Sequence, residues 1–169
     1  RPTVFGSVPR IFEKAYAKIM STVDQASPTK QRIFRWAEGV GREAVQLWQA
    51  GKPIPFGLKL RFGIADKLVF SKLRERLGGR YEYAISGGAP LSREIAEFFW
   101  AAGLPILEGY GLTETSPVLA VNTPRDVRLG TVGKPIPGVE IRIAEDGEIL
   151  ARGPNIMRGY YGLDEASAE

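Results

Sequence analysis

Tyr81-Glu82-Tyr83-Ala84-Ile85-Ser86-Gly87-Gly88-Ala89-Pro90, followed after one helical stretch by Leu104-Pro105-Ile106-Leu107-Glu108-Gly109-Tyr110-Gly111, is the passage that decides the fold. Tyr81–Ile85 reads as a short strand that ends at the Ser86–Pro90 loop. Ser92 stands where a helix cap belongs, and Ile95, Phe98, Phe99 and Ala102 recur at helical spacing until Gly103 closes the pattern. Leu104–Leu107 is then a second strand. Strand, helix and strand at this length make a βαβ unit, so the two strands are expected to be parallel with a right-handed crossover. The loops 86–90 and 108–115 both leave carboxyl ends of parallel strands, the edge at which open α/β sheets bind ligands.

The residues before this unit read as helix. Val8, Ile11, Phe12, Ala15, Ile19 and Val23 form one apolar stripe, with Pro9 suited to a first helical turn. Ser27-Pro28 breaks it, and Ile33, Phe34, Ala37, Val40, Ala44, Leu47 and Trp48 form a second stripe that stops at Gly51. A third runs through Leu58, Phe62, Ala65, Val69, Leu73 and Leu77 to Gly78-Gly79. These stripes read as packing faces. After the unit, Val139, Ile141 and Ile143 alternate with Glu140 and Arg142, Asp146-Gly147 supplies a turn, and Glu148–Arg152 returns, an antiparallel hairpin expected in a small barrel or a distorted sheet. The expected fold class is therefore α/β: a basic helical segment over 1–80, a βαβ unit over 81–117 that carries the candidate ligand edge, and the start of a β-rich subdomain over 118–169.

Composition limits the chemistry. The 169 residues are 44% apolar, with no cysteine and no histidine, which excludes disulfide frameworks, thiolate zinc sites and any mechanism built on Ser-His-Asp or Cys-His. The longest apolar run, Phe98 to Leu107, contains Gly103 and Pro105 and is too short to cross a bilayer. A chain that opens on Arg1-Pro2, without initiator Met or signal peptide, reads as a piece of a longer, cytoplasmic protein. Residues 1–80 carry 16 Lys+Arg against 6 Asp+Glu, a net of +10, and residues 81–169 carry 7 against 13, a net of −6. A solvated basic face accounts for the first half, and so does a surface for anionic lipid or coenzyme phosphates. Nucleic acid is not expected, because aromatic residues do not interleave regularly with the cations.

The two loops hold the groups a nucleotide needs. Gly87-Gly88 lets backbone amides approach a ligand, and Gly109 and Gly111 flank Tyr110, ahead of Thr113, Glu114, Thr115 and Ser116. A ring to stack, hydroxyls for phosphate and a carboxylate for Mg²⁺ suit a nucleotide, although their composition also fits an ordinary turn-rich connection.

Tyr110-Gly111-Leu112-Thr113-Glu114-Thr115 resembles the Tyr-Gly-x-Thr-Glu motif of the adenylate-forming superfamily of acyl-CoA synthetases, luciferases and peptide-synthetase adenylation domains. Ser86–Pro90 resembles that superfamily's upstream glycine loop, and Gly147–Tyr161, with Gly153-Pro154 and Gly159-Tyr160-Tyr161, resembles its downstream segment. Pro2–Lys14, with Val8-Pro9-Arg10, is similar to the long-chain fatty-acyl-CoA synthetases among them.

The resemblance implies that a fatty-acid carboxylate attacks the α-phosphate of ATP and that coenzyme A then displaces AMP. It implies Tyr110 stacked on adenine, and Gly87, Gly88, Ala89, Glu108 and Gly109 lining the nucleotide and acyl pocket. Gly111 would leave room for the acyl carbonyl end. Thr113 would bind phosphate, and Glu114 would hold Mg²⁺ and so serve catalysis with Thr113. The Gly147–Tyr161 segment would brace a barrel beneath the site. The family's phosphate loop, ribose-binding Asp and adenylating Lys are not found in these residues, so the 169-residue polypeptide alone is expected not to turn over fatty acid. Other readings are a non-catalytic nucleotide-binding module or a ligase for another carboxylic acid. Peripheral contact of the basic helices with a membrane is a further expectation, and oligomeric state is left open.

Overall fold

The computed structural model describes residues 3–168. Its centre is a five-stranded sheet in the order β1 (Val4–Ser7), β2 (Tyr83–Ser86), β3 (Ile106–Tyr110), β4 (Ala120–Val121) and β5 (Lys134–Pro135). The first three strands are parallel, with Val4 opposite Tyr83 and Ser86 opposite Glu108, and the last two join antiparallel. The expected βαβ unit is present: helix α5 (Arg93–Ala101) links the parallel β2 and β3. Ser92 occupies its N-cap position without a side-chain hydrogen bond to the helix, and Gly103, at φ +69°, closes the turn that follows.

Helices α1 (Pro9–Asp24) and α2 (Pro28–Gln49) each begin on a proline at the first helical position, where the missing N–H has no partner to lose. They pack with α5 over one side of the sheet. Phe12, Phe34, Ala37, Val40, Ala84, Phe98, Phe99 and Ile106 form one continuous core that runs across residue 80. Tyr16 meets Phe98 edge-on at 5.0 Å, and Trp48 stacks on Trp100 at 4.9 Å. Gln49, the last residue of α2, accepts from Leu129 N–H at 2.8 Å and donates to Val127 C=O, tying the helices to the later chain.

The third helical stretch departs from the reading of one regular helix. It consists of α3 (Phe56–Ala65), a π turn over Asp66–Phe70, and α4 (Ser71–Arg76). The wider turn shifts the helical phase, so that Phe70 is fully buried and Val69 is only half-buried. Phe70 fills the space over Gly41, where a methyl group would lie 2.9 Å from its ring and 2.7 Å from Ala101 Cβ. The Arg74 guanidinium donates to both oxygens of Asp66, at 2.6 and 2.9 Å, and to Ala102 C=O at 2.9 Å, joining this turn to the end of α5.

Two other expectations shift. Strand β3 runs on to Tyr110, so Glu108, Gly109 and Tyr110 are sheet residues and the loop begins at Gly111. The hairpin exists as β6 (Glu140–Ile143) and β7 (Ile149–Arg152), but it is a separate two-stranded sheet, and the described residues form no closed barrel. A short helix, α6 (Asp164–Ala168), follows the hairpin. Among the described residues, no helix is long and apolar enough to cross a membrane.

Candidate functional site

The carboxyl ends of β2 and β3 lie side by side, which places the two glycine-containing loops together. Ser86 is opposite Glu108, and a methyl group on Gly87 would sit 3.7 Å from Gly109 C=O, in ordinary contact. Gly87 N–H donates to Ser7 C=O at 3.2 Å, so β1 holds the base of the first loop. Gly88 is at φ +84°, and Gly88, Ala89 and Pro90 are exposed.

Glu108 is buried and turned inward. Its Oε1 accepts from Leu91 N–H at 3.1 Å, which fixes the end of the glycine loop. The Ser86 hydroxyl, at the neighbouring register position, is buried without a hydrogen-bond partner among the described residues.

Tyr110 is half-buried, and its carbonyl accepts from Leu119 N–H at 2.8 Å. Gly111 cannot carry a side chain, because a methyl group there would lie 1.8 Å from Pro117 C=O. The chain folds back on itself at this point through a 3₁₀ turn over Thr113–Thr115, a left-handed Ser116 and a cis Ser116–Pro117 bond. Thr115 Oγ1 organises the turn: it accepts from Leu112 N–H at 2.9 Å and lies 3.0 Å from both the Leu112 and Pro117 carbonyls. Thr113 is left exposed at the front of the turn.

The downstream segment clamps this turn. Asn155 Nδ2 donates to Thr115 C=O and Val118 C=O, each at 2.8 Å, and Met157 N–H donates to Glu114 C=O at 2.8 Å. Tyr160 O–H donates to Glu114 Oε1 at 2.8 Å. The Glu114 carboxyl is held below the usual carboxylate range by its own backbone N–H and by Tyr160, and the same bond raises the Tyr160 phenol. Residues 153–160 thus brace the Thr113–Val118 turn and not a barrel. The sequence resemblance drew attention to the segment, but not to Asn155 and Tyr160 as contacts of the turn.

Glu114 therefore offers one carboxylate, with Oε1 occupied by a donor and Oε2 without a hydrogen bond among the described residues. No group of three or more acidic, histidine or cysteine side chains converges on a metal position among them. That donor set does not suit a protein-caged cation. It fits Mg²⁺ held by one carboxylate and the phosphates of a nucleotide, the usual arrangement for this ion.

A family model described as AMP-binding enzyme matches residues 1–161. The chain belongs to the AMP-binding enzyme family. Among its relatives in that family, the long-chain-fatty-acid–CoA ligase FadD15 of Mycobacterium bovis is 44% identical over 173 residues, covering 100% of this chain and 28% of its own length. The peroxisomal long chain acyl-CoA synthetase 6 of Arabidopsis thaliana is 37% identical, covering 95% of this chain and 24% of its own length. The long-chain-fatty-acid–CoA ligase ACSBG2 of Gallus gallus is 34% identical over 100% of this chain and 22% of its own length. The chain thus spans less than a third of the length of each of these relatives.

Proposed function

We propose that this chain supplies part of the adenylation site of a long-chain fatty-acid–CoA ligase. The observation that carries the reading is the meeting of the glycine loop after β2 with the Tyr110–Thr115 segment that ends β3 and leads out of it, in a chain whose relatives are named for that activity. The reaction would join a fatty-acid carboxylate oxygen to the α-phosphorus of ATP with release of pyrophosphate. The coenzyme A thiol would then add to the acyl carbonyl and expel AMP.

In this assignment Tyr110 stacks on adenine, and the backbone of Gly87, Gly88, Ala89 and Gly109 lines the nucleotide and the carboxylate to be activated. Glu108 acts from behind by holding Leu91 N–H, and so the shape of the first loop. Thr113 faces outward, with its hydroxyl available to phosphate. Glu114 would hold Mg²⁺ against the phosphates, and that ion supplies charge neutralisation for the departing pyrophosphate. Asn155, Met157 and Tyr160 keep the turn that carries Thr113 and Glu114 in place. Gly111 admits no side chain, so the backbone can double back beside the site.

The test is carboxylate-dependent exchange of pyrophosphate into ATP by the intact protein, with acids of increasing chain length. Exchange that rises with chain length supports the proposal. Exchange confined to aromatic or amino acids would assign a different acid, and Mg²⁺-dependent ATP binding without exchange would leave a non-catalytic nucleotide module.

A further inference from the structure

The helical half carries a face that the proposed chemistry does not use. Leu60, Ile64 and Leu68 follow one another at four-residue spacing along α3 and the π turn, and they are 60%, 46% and 44% exposed. Gly63 leaves a shallow concavity of about 390 Å³ among them, with Lys59 and Lys67 at its margin. Leu68 is also a wall of a second groove, about 520 Å³, whose lining comes from α1, α2, the π turn and α4. Lys30, Lys72 and Arg76 line that groove beside Ile33 and Leu73.

Charge sets this face apart. No Asp or Glu lines either concavity. Among the described residues, none of Lys30, Lys59, Lys67, Lys72 and Arg76 has a carboxylate within 4.0 Å. Arg61 and Arg74, on the same helical stretch, are paired with Glu43 and Asp66. Covering the leucines and isoleucines with an ordinary protein surface would therefore strand five cations at a low dielectric. An anionic bilayer meets both needs, since it offers phosphates at the depth that long basic side chains reach and an acyl boundary beneath them.

We propose that the face formed by Leu60, Ile64, Leu68 and the five surrounding cations docks on a bilayer of anionic phospholipid. The three apolar side chains enter the boundary between headgroups and acyl chains, while the cations reach outward to the headgroup phosphates. The proposal stands on this face alone and does not depend on the ligase assignment.

The experiment is flotation of the intact protein with two kinds of vesicle, phosphatidylcholine alone and phosphatidylcholine with about one-third phosphatidylglycerol. Binding to the anionic vesicles only, weakened by salt, is expected. The double variant Lys67→Ala, Lys72→Ala should lose roughly 25-fold in partitioning, about fivefold for each cation removed, whereas Lys67→Arg, Lys72→Arg should retain it. Leu60→Ser with Ile64→Ser should also weaken binding, and far-UV circular dichroism checks the fold of each variant. If the serine variant does not fold, the surface lysine variants carry the test. Equal binding to both vesicles, no binding, or full binding by the alanine variant would overturn the proposal. A dimer in sedimentation velocity that the alanine variant abolishes would overturn it too, by giving the face to a second copy.

Discussion

At the scale of single residues, the site turn depends on two positions that touch no substrate in the proposed chemistry. Gly111 is constrained by its surroundings, not its φ: Cβ would overlap Pro117 C=O at 1.8 Å, and backbone is a neighbour that cannot yield cheaply. Gly111→Ala is expected to destabilise the intact protein by about 3 kcal/mol or more, in the range of overpacked and strained sites, as read by urea denaturation. Asn155 makes a different prediction. Its amide supplies both hydrogens that satisfy Thr115 and Val118 C=O, so Asn155→Ala should cost about 2 kcal/mol. Asn155→Asp should cost at least as much at neutral pH, because it turns a carboxylate toward two carbonyl oxygens. A loss confined to Asn155→Ala would show that the amide fills space and does not donate. The glycine was legible in the sequence as part of Tyr110-Gly111. The asparagine's role was not, since its partners lie about forty residues upstream and no local pattern records such a bond.

At the scale of elements, the joints between helices carry the measurable consequences. Tyr16 on α1 donates to Glu38 on α2 at 3.2 Å and packs on Phe98 of α5, and burial, reinforced by the Glu38 charge, pushes its phenol up to about 12. A folded-state value above the unfolded one favours the neutral form. The contribution is therefore complete below pH 10 and is lost as pH rises from about 10 towards 12. Tyr16→Phe should flatten that part of the alkaline stability profile, while leaving the profile below pH 9 parallel to that of the wild type. The π turn makes a second prediction. Phe70 is fully buried under Gly41, so Phe70→Ala should cost about 3–5 kcal/mol, whereas Val69→Ala, at a half-buried position, should cost less. Periodicity found helices α1, α2 and α5 because their stripes are regular. It chose Val69 over Phe70 because a π turn inserts a residue into the phase without any local sequence mark. Strand β1 escaped for another reason: four residues containing a glycine acquire their identity from pairing with β2, almost eighty residues away.

At the scale of the whole molecule, one core joins the helices to the parallel strands, and the site loops are its exposed edge. The charge division near residue 80 is not a structural seam, since side chains from both sides of it share that core. The placement of the two loops followed from the βαβ passage alone, because parallel strands with a single crossover helix have little topological choice. The bracing of the second loop by residues 153–160 did not, as it needed the three-dimensional path of the later chain. The role proposed for Glu114, which this frame sets in place, is in adenylation. Its most direct test is palmitate-dependent pyrophosphate exchange by the intact protein and by its Glu114→Gln variant, measured across a Mg²⁺ titration. A loss of roughly 10²–10³-fold is expected in the variant, with a shifted Mg²⁺ dependence and an unchanged circular dichroism spectrum. Exchange by Glu114→Gln at the wild-type rate and the wild-type Mg²⁺ dependence would contradict it.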